Sequence, residues 1–463
     1  MVTEIEKTQN PRGTTPPLWT KGFIALLITQ FMVALNDNIF RWLIVPIGKW
    51  AIGWSDKQDQ IRTIGALAFV LPFMLLTSYA GYCCDRFNRK KVLIWCKVAE
   101  LVIMIIGTVA ILSKSVPFML VTLFLMASQS TFFSPAKYGS LPSIVHEERI
   151  SEANGYFSMT TMIACIGGTA IGGILFALTT LNHAAPEPGT GGMYHWWIWS
   201  ATIIGVAIVG LISSFFIPSM EPADSSAKFP LNPFSQTYRD LAFLARHKYL
   251  FSIALLSSFF WGFSALAQVN IDKYATEFLK TSQEYVAILI VAISLGLALG
   301  ALLAGRLSRG KIELGLVPIG AFCIVLFSAL LYFTPNVIIP DGQKVASWLT
   351  PGFIFGAVIL FFLGISAGLF DVPLLATLQM KSPPEHRCRI LAAYNFWSFA
   401  AMALCSLFQG FLAAPPFEIN GRRFGLSATE IWLFCSIMAF PVLLYTAKSF
   451  HLPSRYGKGR NNV

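Results

Sequence analysis

Apolar stretches of bilayer-spanning length recur along the whole chain, separated by short polar connections. The first runs from Trp19 to Pro46; later ones end at Cys84, cover Val92 to Ser113, begin at Val116, cover Tyr156 to Leu181 and open in His195-Trp196-Trp197. The pattern predicts an all-α membrane protein with twelve transmembrane helices in two sixes, residues 19–218 and 250–448. Tails at 1–18 and 449–463 flank them. Between the sixes, 219–249 is polar and Pro-rich, then amphipathic from Pro233 to Lys248. Phe234, Tyr238, Leu241 and Ala245 form its apolar stripe, which predicts a helix lying on a membrane surface.

Composition agrees: 463 residues are 55% hydrophobic and 12% charged, with a mean hydropathy of +0.63. A net charge of +11 could suggest nucleic acid, but its placement excludes that reading. With a cytoplasmic N-terminus, most of the 34 Lys and Arg fall in the inner connections, the bias that orients a membrane protein. Both termini are therefore expected in the cytoplasm. The eight cysteines lie in spans or on the inner side, so none is placed for an outer disulfide. The first 17 residues have no apolar core or cleavage site of a signal peptide, so the first helix is expected to be retained.

The chain carries an internal duplication. Gly81-Tyr82-Cys83-Cys84-Asp85-Arg86-Phe87-Asn88-Arg89-Lys90-Lys91-Val92 returns as Ala301 to Ile312, with Arg86, Arg89 and Lys91 answered by Arg306, Arg309 and Lys311. Ser128 to Pro135 is echoed by Ser366 to Pro373, Glu148-Arg149 by His386-Arg387, and Asn154 by Asn395, the two asparagines opening helices 5 and 11. Echoes in the same order at equivalent helices give a transporter architecture of two related halves.

Polar residues inside apolar helices are the candidate chemistry, because a charge near mid-bilayer costs roughly 2.5–3.5 kcal/mol. Helix 1 holds Gln30, Asn36, Asp37, Asn38 and Arg41. Asp37 and Arg41 are four apart and share a face, so they are expected to pair; a cavity-facing site is favoured over a structural pair. Lys97 and Glu100 fit either a buried ion pair or a substrate pathway. Pro135 is expected to kink or end helix 4, leaving Lys137 near the inner mouth to hold an anionic headgroup or reach lipid phosphate. Helix 10 carries Asp371. In the basic turn, Asp85 can meet the positive N-terminus of a neighbouring helix and form a conformational latch, or the turn can serve topology alone. Arg89, Lys90 and Lys91 are expected to hold the inner leaflet. Gly167-Gly168-Thr169-Ala170-Ile171-Gly172-Gly173 is expected to let another helix approach closely.

Enzymatic readings fail on motifs. The H-x-x-x-x-D pair of a membrane acyltransferase is absent at all six histidines. Gly305 to Lys311 imitates the start of a phosphate loop, but it ends in Ile312 and joins membrane spans. No cofactor is implied.

The turn Gly81 to Lys91 resembles the G-x-x-x-D-R-x-G-R-[RK]-[RK] loop of the major facilitator superfamily, with Asn88 replacing the second Gly. The helix 5 glycines resemble its antiporter motif, with Thr169 replacing Pro. Asn36-Asp37-Asn38, Ser134 to Gly139, Ala153-Asn154-Gly155 and the loop Gly305 to Pro318 look like the bacterial lysophospholipid transporter family. That resemblance implies a flippase of the bacterial inner membrane. It would carry lysophosphatidylethanolamine and lysophosphatidylglycerol from the outer to the inner leaflet for reacylation, with membrane lipid and a cytoplasmic acyltransferase as partners. On that reading Gln30, Asn36, Asp37, Asn38, Arg41, Lys97, Glu100, Lys137 and Tyr138 would bind substrate. Gly81, Asp85, Arg86, Arg89 and Lys90 would form the latch. The rival is a proton-coupled exporter of drugs or siderophores; against it, helix 4 lacks the Arg that such antiporters carry.

Overall fold

The computed structural model describes residues 17–52, 58–113, 115–180, 196–226, 229–281, 283–308, 310–335, 350–412 and 425–450. Residues 1–16 and 451–463 of the predicted tails, along with His195 and Arg309, fall outside these residues.

In the first half, α1 (Lys21–Ile52) is followed by α2 (Gln58–Leu75) and α3 (Thr77–Arg86). These two form one span bent by 49° at Leu76. Then come α4 (Arg89–Leu112), α5 (Val116–Ile144), α6 (Ile150–Thr180) and α7 (Trp196–Ser214). After α8 (Pro233–Arg246), the second half holds α9 (Lys248–Lys273), α10 (Gln283–Leu307), α11 (Leu316–Tyr332), α12 (Pro351–Lys381), α13 (Arg387–Leu412) and α14 (Ala428–Ser449). Among the described residues, ten helices are long and apolar enough to cross a bilayer, and the bent pair makes eleven. The 17-residue α11 takes the remaining place and sits at the lower limit of spanning length.

Local chemistry sets the helix starts. The Asn88 side chain accepts from the Lys90 N–H at 3.0 Å and caps α4, so the basic turn ends as that helix begins. Of the two expected outcomes at Pro135, the helix ending there does not occur. α5 runs through Pro135 and Pro142 to Ile144. Proline removes one backbone bond, whereas an unravelled segment at membrane depth would strand several polar groups at several kcal/mol each. Continuing the helix costs less. Asn154 and Asn395 lie one turn or more inside α6 and α13 instead of opening them. The echo survives in another form: each helix follows a short 3₁₀ turn, Glu147–Arg149 or Pro384–His386.

Each half has its own core, one around Phe40, Met104 and Trp199, the other around Ile253, Leu360 and Trp432. The start of α1, the basic turn and the end of α5 share a third cluster containing Leu18, Cys84, Leu141 and Cys388, and this region is called the basic end below. Gly155 and Gly305 let α6 and α10 of opposite halves touch there. A Cβ on Gly155 would lie 2.5 Å from the Ala301 carbonyl oxygen, and one on Gly305 2.7 Å from Glu152 Cα. Gly168 plays the predicted packing role against Leu35 and Asn38 of α1.

The connector α8 has two faces. Leu244 and Asp240 pack inward, and Asp240 accepts from Arg389 Nε at 2.9 Å. Burial raises the Asp240 pKa while the Arg389 charge opposes that rise. Leu241 packs with this inward side, which corrects its assignment to the outward stripe. Phe234 and Tyr238 stay outward, 69% and 74% exposed, as a membrane-lying helix requires.

Candidate functional site

α1 carries a ladder of polar contacts along the first half. Counted at 1.5 Å per residue, Gln30, Asp37 and Arg41 lie about 14, 24 and 30 Å from its start at the basic end. On the lowest rung, Gln30 donates from Nε2 to Thr160 Oγ1 at 2.6 Å. Its Oε1 accepts from Thr161 Oγ1 at 3.1 Å and from Lys137 Nζ at 3.4 Å. On the middle rung, Ser130 Oγ donates to Asp37 Oδ2 at 3.0 Å. On the upper rung, Arg41 Nη2 donates to Asn38 Oδ1 at 3.0 Å and its guanidinium lies 5.5 Å from the Phe69 ring centroid.

The expected Asp37–Arg41 ion pair is therefore absent among the described residues. The two share a helix face, but each finds a neutral partner closer. Lys137 does not sit at a mouth. Because α5 continues past Pro135, it faces α1 inside the bundle, with Nζ 4.7 Å from the Tyr138 ring centroid.

Asn36, Lys97 and Glu100 form a network of their own, apart from this ladder. Lys97 Nζ donates to Glu100 Oε2 at 2.5 Å, both side chains are essentially inaccessible, and Asn36 Nδ2 donates to Glu100 Oε1 and to the Ile203 carbonyl at 3.2 Å each. Gly210 of α7 makes room, since a Cβ there would meet Lys97 Nζ at 2.4 Å. This is a closed network joining α1, α4 and α7. Three apart on one face was compatible with either role; burial against α7 decides for the ion pair.

The second half supplies a facing cluster that the sequence reading left out of the site. Asp371 of α12 accepts from Ser257 Oγ. Tyr394 OH lies 3.0 Å from Ser257 Oγ and accepts from Trp261 Nε1 at 2.8 Å. A pocket of about 40 Å³ between the halves is lined by Tyr138, Thr161, Trp261 and Asp371. An acid in an apolar helix was the available signal. Above it, Phe73 of α2 stacks on Phe399 of α13 with centroids 3.7 Å apart.

At the basic end the halves are joined. Asp85 Oδ1 and Oδ2 accept the Cys388 and Arg389 backbone N–H groups, both at 3.1 Å, at the positive start of α13. Gly81 permits this: a Cβ would lie 2.9 Å from Arg389 Cα. Arg89 is buried, donates to the Gly139 carbonyl at 3.2 Å and lies 3.9 Å from Asp85. It does not reach the leaflet, contrary to expectation. Arg86 donates to the Ser225 carbonyl, and Lys90 donates to the Phe215 carbonyl at 2.9 Å. The Sγ atoms of Cys84 and Cys388 are bonded, with Cα atoms 5.8 Å apart, a pairing that the sequence did not suggest.

Comparison with known proteins places this geometry. The family model of the Major Facilitator Superfamily matches residues 26–406. The chain is similar to the lysophospholipid transporter LplT of Photorhabdus laumondii, 27% identical over 375 residues, 80% of this chain and 83% of that one. It is similar to the protein of the same name from Enterobacter sp. strain 638, 24% identical over 436 residues, 91% and 98% of the two chains. Among solved structures it resembles the transporter FucP in the outward conformation, with a TM-score of 0.66 and 14% identity, covering 92% of this chain and 98% of that chain. It also resembles human MFSD10, with a TM-score of 0.70 and 13% identity, covering 93% and 100%.

Proposed function

The chain belongs to the major facilitator superfamily, a family of transporters rather than enzymes, and we propose that it carries lysophospholipid across a bacterial inner membrane by alternating access. The basic end faces the cytoplasm on this reading, in keeping with the charge bias. The likeness to lysophospholipid transporters supports the substrate class.

The observation that carries the proposal is the ladder on α1. A lysophospholipid has a charged, phosphate-bearing head and one apolar tail. Its head needs polar partners at successive depths, while the tail can stay in lipid. Arg41 at the upper rung receives the phosphate, Asp37 and Ser130 form the middle station, and Lys137 with Gln30 receives it nearer the cytoplasm. Lysophosphatidylethanolamine and lysophosphatidylglycerol suit this order, and the product is then open to a cytoplasmic acyltransferase.

Asp85 on the α13 N-terminus serves as the latch that closes the cytoplasmic end, assisted by Gly81, Arg86, Arg89 and Lys90. Head entry from the far side requires that end to be shut. Rocking of the halves breaks the latch and releases the head inward.

A second reading rests on Asp37 and Asp371, two acids in apolar helices whose close partners are hydroxyl groups. Such acids suit proton-coupled export of a small molecule. Flipping of headgroup-labelled lysophosphatidylethanolamine in proteoliposomes, with and without a proton gradient, separates the two. Wild type is expected to flip well above empty liposomes and Asp37→Asn to lose this activity. No flipping under any gradient, beside proton-driven efflux of a soluble compound, would overturn the lipid reading.

A further inference from the structure

On the outer wall of the first half lies a cavity of about 700 Å³ that none of the ladder's own residues lines. Asn88, Lys91, Val92, Trp95, Cys96 and Ala99 of the α4 edge recur every three or four residues and form its long side. From Asn88 to Ala99 that side is about 16 Å long at 1.5 Å per residue. Its deep end is Gln129 of α5, whose Oε1 lies 3.3 Å from Ser130 Oγ. Cys83 and Arg86 of α3 and Pro222 of the connector form the facing wall. Trp95 is 70% exposed and Phe87 49%, so the mouth opens onto the membrane-facing surface.

Charge sits at one end of this apolar groove. Arg86, Arg89 and Lys90 are engaged by the Ser225, Gly139 and Phe215 carbonyls. Lys91 is exposed and has no partner among the described residues. A free ammonium at the headgroup level above an apolar trough complements an anionic head with an acyl chain.

We propose that this groove holds a resident anionic phospholipid of the leaflet at the basic end, distinct from any transported lipid. One acyl chain lies along Val92, Trp95 and Ala99, and the phosphate rests against Lys91. The bound lipid braces α4 against the wall that carries the latch residue Asp85, while α13, the other side of the latch, does not line the groove. The Asp224 N–H donates to the Asp85 carbonyl at 2.9 Å, so α3 and the connector beside Pro222 move with Asp85.

The test is photocrosslinking of the full chain in zwitterionic nanodiscs doped with phosphatidylglycerol carrying a diazirine in its acyl chain, with mapping of the labelled peptides. Labelling is expected to concentrate on 88–99 and 129–132. Ala99→Trp should fill the trough and reduce labelling at least fivefold. Lys91→Gln, a surface change that leaves packing intact, should abolish the preference for phosphatidylglycerol over phosphatidylcholine carrying the same diazirine. Labelling spread evenly over the helices, or unchanged in both variants, would overturn the proposal. So would displacement by excess unlabelled lysolipid, since the groove would then belong to the transport route. Absence of lysolipid flipping bears only on the transport reading and leaves these outcomes readable.

Discussion

Asn154 of α6 and Gln379 of α12 exchange two hydrogen bonds across the seam between the halves, at 2.8 and 2.9 Å. The duplicated position answers on the other side, where Asn395 of α13 donates to Ser134 of α5 at 2.9 Å. The repeated asparagines thus clasp the basic end symmetrically. Asn154→Leu strands the Gln379 amide, which costs about 1–3 kcal/mol. The closed basic end is expected to lose roughly tenfold or more in population, seen as longer spin-label distances between α6 and α12. Distances identical to wild type would remove Asn154 from the clasp.

Asp85 offers a sharper test, because its acceptors are charged and its donors belong to the backbone of α13. Charge-assisted bonds of this kind contribute about 1.5–3 kcal/mol. Asp85→Asn should reduce transport at least tenfold while the protein still reaches the membrane in normal amount. Transport at the wild-type rate would leave the turn with topology alone.

Lys97 and Glu100 predict the opposite phenotype. Lys97→Met leaves a buried carboxylate unpaired, at a cost of about 3–5 kcal/mol. A lower unfolding temperature in detergent is expected. Replacing both residues by Leu should recover much of that loss and leave transport per folded molecule near wild type. A stable double variant without transport would return the pair to the pathway.

Cys84 and Cys388 join α3 of one half to α13 of the other, and their Cα separation of 5.8 Å suits a disulfide. Rocking must part these helices. A mild oxidant should arrest transport, a thiol reductant should restore it, and Cys388→Ser should be indifferent to both. After proteolysis between the halves, the fragments should stay together only without reductant. Full transport by the crosslinked protein would show that these helices do not separate during the cycle.

The sequence by itself determined the membrane class, the order of the spans, the two sixes and the basic turn. These depend on local hydropathy, on charge placement and on repeats that survive as residue identities. It also picked out Asp37, Asn38, Arg41, Gln30 and Lys137, since a polar group in an apolar helix is conspicuous wherever the helix faces. Facing was decided only by tertiary structure. Lys97 and Glu100 are as conspicuous as Asp37, yet α7 closes over them and buries them as an ion pair. Asp371 gains its place from Tyr394 and Trp261, far along the chain. Lys137 turned inward because a helix at membrane depth continues through proline, a balance set by surroundings that a single span does not encode. The Cys84–Cys388 contact joins residues 304 apart. No local pattern foretells such a meeting, because it is fixed by how two separately folded halves close against each other.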